Sequence, residues 1–293
     1  MSFFQPIQEV CKKSPIAVLV LAFALFFIGQ LFVQLAAVIW GLVIEGEAGA
    51  VQAALASPES MLASSEVIRF SHITSQIFSW GFAAIMGGFI LGNVQQELGM
   101  SQRGPWYYWV LAPIAILLAA PVAQAMIISP EWQGFPGMES IIEAARSMED
   151  RSQEAITGML RLQGTGNFML NVVAFAVAPA ICEELFFRGL IQRNLLRGMS
   201  PLKAIFLTAF LFSLLHLALF GFFARLFLGF VLGLLAWRSK SIWPAILGHF
   251  TFNFLTVLSI HNGWDEQLTA FPFWIIALCG LGLAGLFFLI KDE

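Results

Sequence analysis

The 293-residue chain is poor in charge. Only 11% of its residues are Asp, Glu, Lys or Arg, against about 25% in a soluble globular domain. With 59% hydrophobic residues, this scarcity excludes a soluble protein of ordinary composition. Cysteine is scarce as well. Cys11, Cys182 and Cys279 are too few and too scattered for a disulfide framework. Cys182 reads as a small apolar packing residue, since a nucleophile would need an accessible, low-pKa thiolate. The net charge is −3 and no basic stripe runs along the chain, so no nucleic-acid partner is expected. Segments of alternating polarity, the mark of an outer-membrane barrel, are missing. Internal repeats and low-complexity linkers are missing too, and residues 1–293 read as a single membrane domain.

What the chain does have is continuous apolar sequence. A membrane-crossing helix needs roughly 20 mainly apolar residues. Eight windows qualify, near residues 15–44, 71–95, 106–128, 168–197, 202–219, 222–237, 242–260 and 271–290. The fold class is therefore an all-α polytopic membrane protein with about eight transmembrane helices. The second window is the weakest, because Ser71, His72, Thr74, Ser75 and Gln76 lie at its start. Only "LFGF" separates the fifth and sixth, which predicts a tight helical hairpin. The first window follows Lys12 and Lys13 and is longer than the apolar part of a signal peptide. It is expected to remain as an uncleaved span.

Loop charge sets the expected orientation. With both termini cytoplasmic, one side holds Lys12, Lys13, Arg103, Arg193, Arg197, Lys203, Arg238, Lys240 and Lys291. The other holds only Arg69, Arg146, Arg151 and Arg161. The long external loop, 129–166, contains "MESIIEAARSMEDRSQEAITGML", charged with apolar residues at helical spacing. It reads either as an amphipathic helix on the membrane surface or as an ordinary cap helix.

Against this apolar background, ionisable groups inside the windows stand out. Glu183, Glu184 and Arg188 lie in the fourth window, His216 in the fifth, and His249 and Asn253 in the seventh. Glu183 lies 14 residues before Arg197, His216 13 residues after Lys203, and Asn253 13 residues after Lys240. At 1.5 Å rise per residue, each is about 20 Å from the same charged ring. Helices 4, 5 and 7 thus bring polar groups to one level. Such residues are costly in a bilayer and default to function; a buried ion pair that fixes packing is the plainer reading.

Spacing separates the roles. Glu184 and Arg188 are i, i+4 and can pair. Glu183 is rotated by about 100° and can face something else, which makes it the better general base. His249 and Asn253 share a face, and Phe212 and His216 repeat the same spacing. Three chemistries fit. The first is hydrolysis: a carboxylate in an apolar pocket can take a proton from water near neutral pH, His216 can hold that water, and His249 and Asn253 can donate to an oxyanion. The second is a metal site of the zinc type, from Glu183, His216 and His249. The third is an ion or proton relay, as in a transporter. The remaining polar residues read as structural. Asn171 is expected to bond between helices, His72 and His261 to be solvated, and Arg225 to snorkel outward. Gly229 and Gly233 are expected to form a close-packing face.

"EELFFRG" (183–189) fits EExxxR, "FSLLH" (212–216) fits FxxxH and "HFTFN" (249–253) fits HxxxN. In this order, on late spans of an eight-helix chain, they resemble the CPBP family of intramembrane endopeptidases. That family includes the type II CAAX prenyl endopeptidases and is also called the Abi family. The resemblance covers roughly 168–258. It makes 168–260 a catalytic core, with 1–167 as variable helices and external loop and 261–293 as the last helix. It implies a multi-pass enzyme of the cell membrane, or of the endoplasmic reticulum membrane in a eukaryote, that cleaves a peptide or protein substrate, with or without an attached lipid, near the cytoplasmic face. Glu183 then resembles the water-activating base, His216 its partner, and His249 and Asn253 the oxyanion site. Glu184, Arg188 and Phe212 resemble supporting residues. The family has been described both as metallopeptidase and as glutamate-dependent. The pairing of Glu184 with Arg188 and the Asn at position 253 favour no cofactor, with Zn as the alternative. A non-catalytic binding partner is the other reading of the same residues.

Overall fold

The computed structural model describes residues 4–55, 65–128, 137–265 and 271–289. Lys291 and residues 129–136 of the segment expected to be an external loop lie outside the described residues. Every regular element among the described residues is a helix. Among the described residues, five helices are long and apolar enough to cross a membrane: Pro15–Trp40, Glu66–Leu91, Thr165–Leu195, Phe222–Ser239 and Trp243–His261. Tyr108–Gln124, Pro201–Leu215 and Phe273–Phe288 are apolar but shorter. The chain is therefore an integral, multi-pass helical protein. It forms two compact units, residues 1–101 with 162–199 and residues 102–161 with 200–293.

The first unit holds α1 (Gln5–Lys13), α2 (Pro15–Leu55), α3 (residues 65–91) and α6 (Thr165–Leu195). Within α3 a wider, π-helical turn, Gln76–Gly81, interrupts regular α-helix. Two more such turns, Val173–Val177 and Leu185–Gln192, interrupt α6. Helix α2 runs antiparallel to α3: Phe26 lies 4.5 Å from the Trp80 ring and Trp40 4.4 Å from Phe70. Gly29 permits this, because a Cβ there would overlap the carbonyl oxygen of Phe78. Helices α3 and α6 run in the same direction. Their contacts advance together, from Arg69 with Asn171, through Gln76 with Glu183, to Gly87 against Leu190.

The second unit holds α4 (Tyr108–Gln124), α5 (Glu139–Leu160), α7 (Pro201–Leu215), α8 (Phe222–Ser239), α9 (Trp243–His261) and α10 (Phe273–Leu289). Its core is built around α4. The buried stripe Ala112, Ala115, Ala119 and Ala123 packs with Leu228, Val231, Leu232 and Leu235 of α8, Ala245 of α9 and Leu283 of α10. Small side chains at helical spacing let the backbones approach.

Helices α7 and α8 form the expected hairpin, with an earlier turn. Helix α7 stops at Leu215 rather than near 219, because Leu217 adopts a left-handed φ of 51° that a helix cannot continue through. The turn is 216–221, and the Ser213 hydroxyl donates to the Phe222 carbonyl across it at 2.6 Å. Gly229 is a close-packing position: a Cβ there would lie 3.1 Å from the Phe212 ring.

The acidic segment expected to be external is a helix, α5, and one face of it packs on protein. Its Glu149 carboxylate accepts the backbone N–H groups of Leu219 and Phe220 in the 216–221 turn. Arg146 lies over the Phe220 ring at 4.9 Å, and Arg161, just beyond the helix, pairs with Asp265 at 2.9 Å. Ile141 and Met148 remain exposed.

Candidate active site

In the first unit, Glu183 and Glu184 end the α-helical stretch Ala178–Glu184, and the wide turn Leu185–Gln192 begins immediately after them. Both are buried, as is Arg188. Their partners differ. Arg188 Nη1 donates to Glu184 Oε1 at 2.7 Å, with both side chains at 0% exposure. Glu183 Oε1 instead accepts from Gln76 Nε2 at 2.8 Å. A single residue step turns the two carboxylates about 100° apart, so one meets its own helix and the other meets α3. The wall beside them is aromatic: Trp80 lies 5.3 Å from both Phe186 and Phe187.

In the second unit, Phe212 links two imidazoles. Its ring lies 4.7 Å from His216 and 6.0 Å from His249, edge-on to both. His216 sits at the C-terminal cap of α7 and is exposed, while His249 on α9 is buried. His216 Nδ1 lies 2.7 Å from the Phe212 carbonyl oxygen. A carbonyl can only accept, so Nδ1 carries a proton, and in the neutral form of the ring Nε2 is the nitrogen with a lone pair. Asn253, half-buried, follows His249 by one turn of α9. The carboxamide of Asn253 carries N–H donors, and the imidazole of His249 can donate or accept according to its tautomer.

Glu183, Glu184 and Arg188 thus belong to the first unit, and Phe212, His216, His249 and Asn253 to the second. Neither unit alone gathers three His, Cys, Asp or Glu side chains among its described residues. The zinc-type set Glu183, His216 and His249 draws on both.

Two residues near these groups carry no signal in the sequence. Gln76 reads there as polarity that weakens a span, and Glu149 as one acid of a charged loop. Each is placed by long-range contact alone.

Three of the secondary residues depart from expectation. His72 is not solvated: it stacks on Phe175 at 4.3 Å and 9° between planes. His261 is half-buried, with Nδ1 3.2 Å from the Leu160 carbonyl oxygen. Arg225 does not snorkel outward but donates to the Ala218 carbonyl, drawn toward the 216–221 turn that lies one helical turn before it. Asn171 does bond between helices, accepting from Arg69 Nε at 2.7 Å. Cys182 is half-buried and packs against Gly81, whose added Cβ would lie 3.3 Å from its Sγ.

Residues 165–255 match the family model described as Rce1-like, type II CAAX prenyl endopeptidase Rce1-like. The match includes all seven of the residues placed above in the two units. No curated protein and no solved structure matches the chain.

Proposed function

From the match of residues 165–255 to the Rce1-like family model, we propose that the protein is an intramembrane endopeptidase that hydrolyses a peptide bond near the cytoplasmic membrane face with water activated by Glu183. The observation that carries this reading is the division of the glutamates. Glu184 is committed to Arg188 within α6, which leaves Glu183 as the carboxylate for chemistry.

The steps follow from the donors and acceptors. Glu183 takes a proton from water, whose other hydrogen is held by Nε2 of His216. The resulting hydroxide attacks the peptide carbonyl carbon. Negative charge moves to the carbonyl oxygen, where His249 and Asn253 donate hydrogen bonds. Such preorganised donors stabilise the transition state by about 3–4 kcal/mol each. The carbon–nitrogen bond then breaks, and Glu183 returns its proton to the leaving amine. The reading requires Glu183 and the His216, His249 and Asn253 group to serve the same bond.

The reaction proposed is metal-independent. The donor chemistry argues this: the second glutamate is neutralised by a guanidinium, and a carboxamide is a poor zinc ligand beside Cys, His and carboxylate. Where a metal is held, Glu183, His216 and His249 are the ligands, and it would polarise the carbonyl and the water.

The substrate proposed is a membrane-associated peptide or protein, lipidated in the manner of the family's name. Reconstitution in proteoliposomes with a farnesylated peptide of CAAX form tests it, alongside capture of cellular substrates by a Glu183→Ala variant. Cleavage, or a trapped peptide absent from wild type, supports the reading. A Glu183→Gln variant that keeps the full cellular function would assign the site to binding instead.

A further inference from the structure

The wide turn Gln76–Gly81 of α3 is held from two sides. Gly29 of α2 packs against its Phe78 carbonyl, and Cys182 of α6 packs against its Gly81. Between these contacts the turn directs Gln76 at the carboxylate of Glu183, with Nε2 2.8 Å from Oε1. Gln76 is 3% exposed and Glu183 5%. The other end of the same amide, Gln76 Oε1, is buried and has no hydrogen-bond partner among the described residues. A half-satisfied buried amide is costlier than an apolar side chain of the same length. A methionine would fill the position without that penalty. What glutamine adds there is the N–H.

We propose that Gln76 is a positioning residue for the Glu183 carboxylate, fixing Oε1 as a hydrogen-bond acceptor and so making Oε2 the oxygen that exchanges the proton. This rests on the reading of Glu183 as the base. An oxygen that already receives an N–H is the poorer base of the two, and the amide N–H has no lone pair with which to accept a carboxylic O–H in return. The reverse amide orientation would set a carbonyl oxygen against the carboxylate, two acceptors face to face. In the cycle, the proton leaves water for Oε2 while hydroxide attacks the carbonyl carbon. It then passes from Oε2 to the leaving nitrogen. Gln76 keeps its bond to Oε1 throughout and ends unchanged. An amide does not titrate, so this hold is the same at every working pH.

The test uses the full chain in proteoliposomes with the farnesylated CAAX-form peptide. Gln76→Met keeps the side-chain length and removes the donor. It should lower kcat by about 10- to 100-fold with KM within about twofold, the signature of a loss confined to the transition state. Gln76→Asn, which withdraws the amide by one methylene, should give the same loss and serves if the methionine variant misfolds. In a Glu183→Gln background, Gln76→Met should change the residual rate by less than about twofold, because coupled positions are not additive. A readout free of substrate is the infrared carboxylate stretching band that vanishes in Glu183→Gln. Gln76→Met should shift it. Full kcat in both Gln76 variants with an unmoved band, while Glu183→Gln is inactive, overturns the positioning role and leaves the base in place. Wild-type cleavage by Glu183→Gln overturns both.

Discussion

Arg188 Nη1 lies 2.7 Å from Glu184 Oε1, and neither side chain reaches solvent. One residue earlier, Glu183 faces the other way and meets Gln76 of α3. The two adjacent carboxylates therefore have different partners, one on its own helix and one on α3.

The buried pair makes a stability prediction. Removing one partner strands a charge in an apolar interior, at about 3–5 kcal/mol. Arg188→Ala and Glu184→Ala should each unfold well below the wild-type temperature in detergent. The double replacement Glu184→Leu with Arg188→Met should recover much of the loss, because an apolar pair of similar volume can substitute for a buried ion pair. Arg188→Ala unfolding at the wild-type temperature would remove the structural role.

Phe212 touches both His216 and His249, so its loss should act on both. Phe212→Ala should cost about 3–5 kcal/mol in stability as a buried aromatic and should also lower kcat. Phe212→Leu should keep most of the stability and still lose activity, because the edge-on contacts go. His216→Ala should lower kcat by about 10²–10⁴ as the partner of the base. Equal turnover in wild type and Phe212→Leu would separate the ring from the chemistry.

His249 and Asn253 are assigned to the oxyanion. Each replacement by Ala should lower kcat by about 10²–10³ with little change in KM. Their double replacement should fall short of the product of the two, since both serve one oxygen. A rise in KM with kcat intact would make them substrate-binding groups instead.

Metal independence is checked by exhaustive chelation. Turnover of the reconstituted protein is expected to be unchanged after treatment with a strong zinc chelator and dialysis. Loss of turnover restored by added Zn²⁺ would move Glu183, His216 and His249 to the role of ligands.

Much of this was legible because helical spacing is local. The i, i+4 relations between Glu184 and Arg188, between Phe212 and His216, and between His249 and Asn253 each concern one helix or its cap. The structure places Glu184 against Arg188 and Phe212 against His216. The apolar windows correspond to helices for the same reason. What failed was non-local or depended on backbone detail. Gln76 lies 107 residues from Glu183, and its role depends on a π-helical turn that no hydrophobic period reveals. Helix α7 stops early because Leu217 turns left-handed, not because polarity changes. His72 is a polar residue at a span end by sequence, yet it lies flat on Phe175. Arg225 is held by the turn beside Glu149 rather than by solvent.

The most direct measurement is single-turnover cleavage of the farnesylated CAAX-form peptide by reconstituted wild type and Glu183→Gln, with Glu184→Gln as the comparison. Glu183→Gln keeps the size and the buried setting but cannot take a proton from water. The account predicts cleavage by wild type and a rate at least about 10³-fold lower in Glu183→Gln, at unchanged peptide binding and folding. It predicts that the loss in Glu184→Gln follows its loss of folded protein. Glu183→Gln cleaving at the wild-type rate would contradict the assignment of Glu183 as the base.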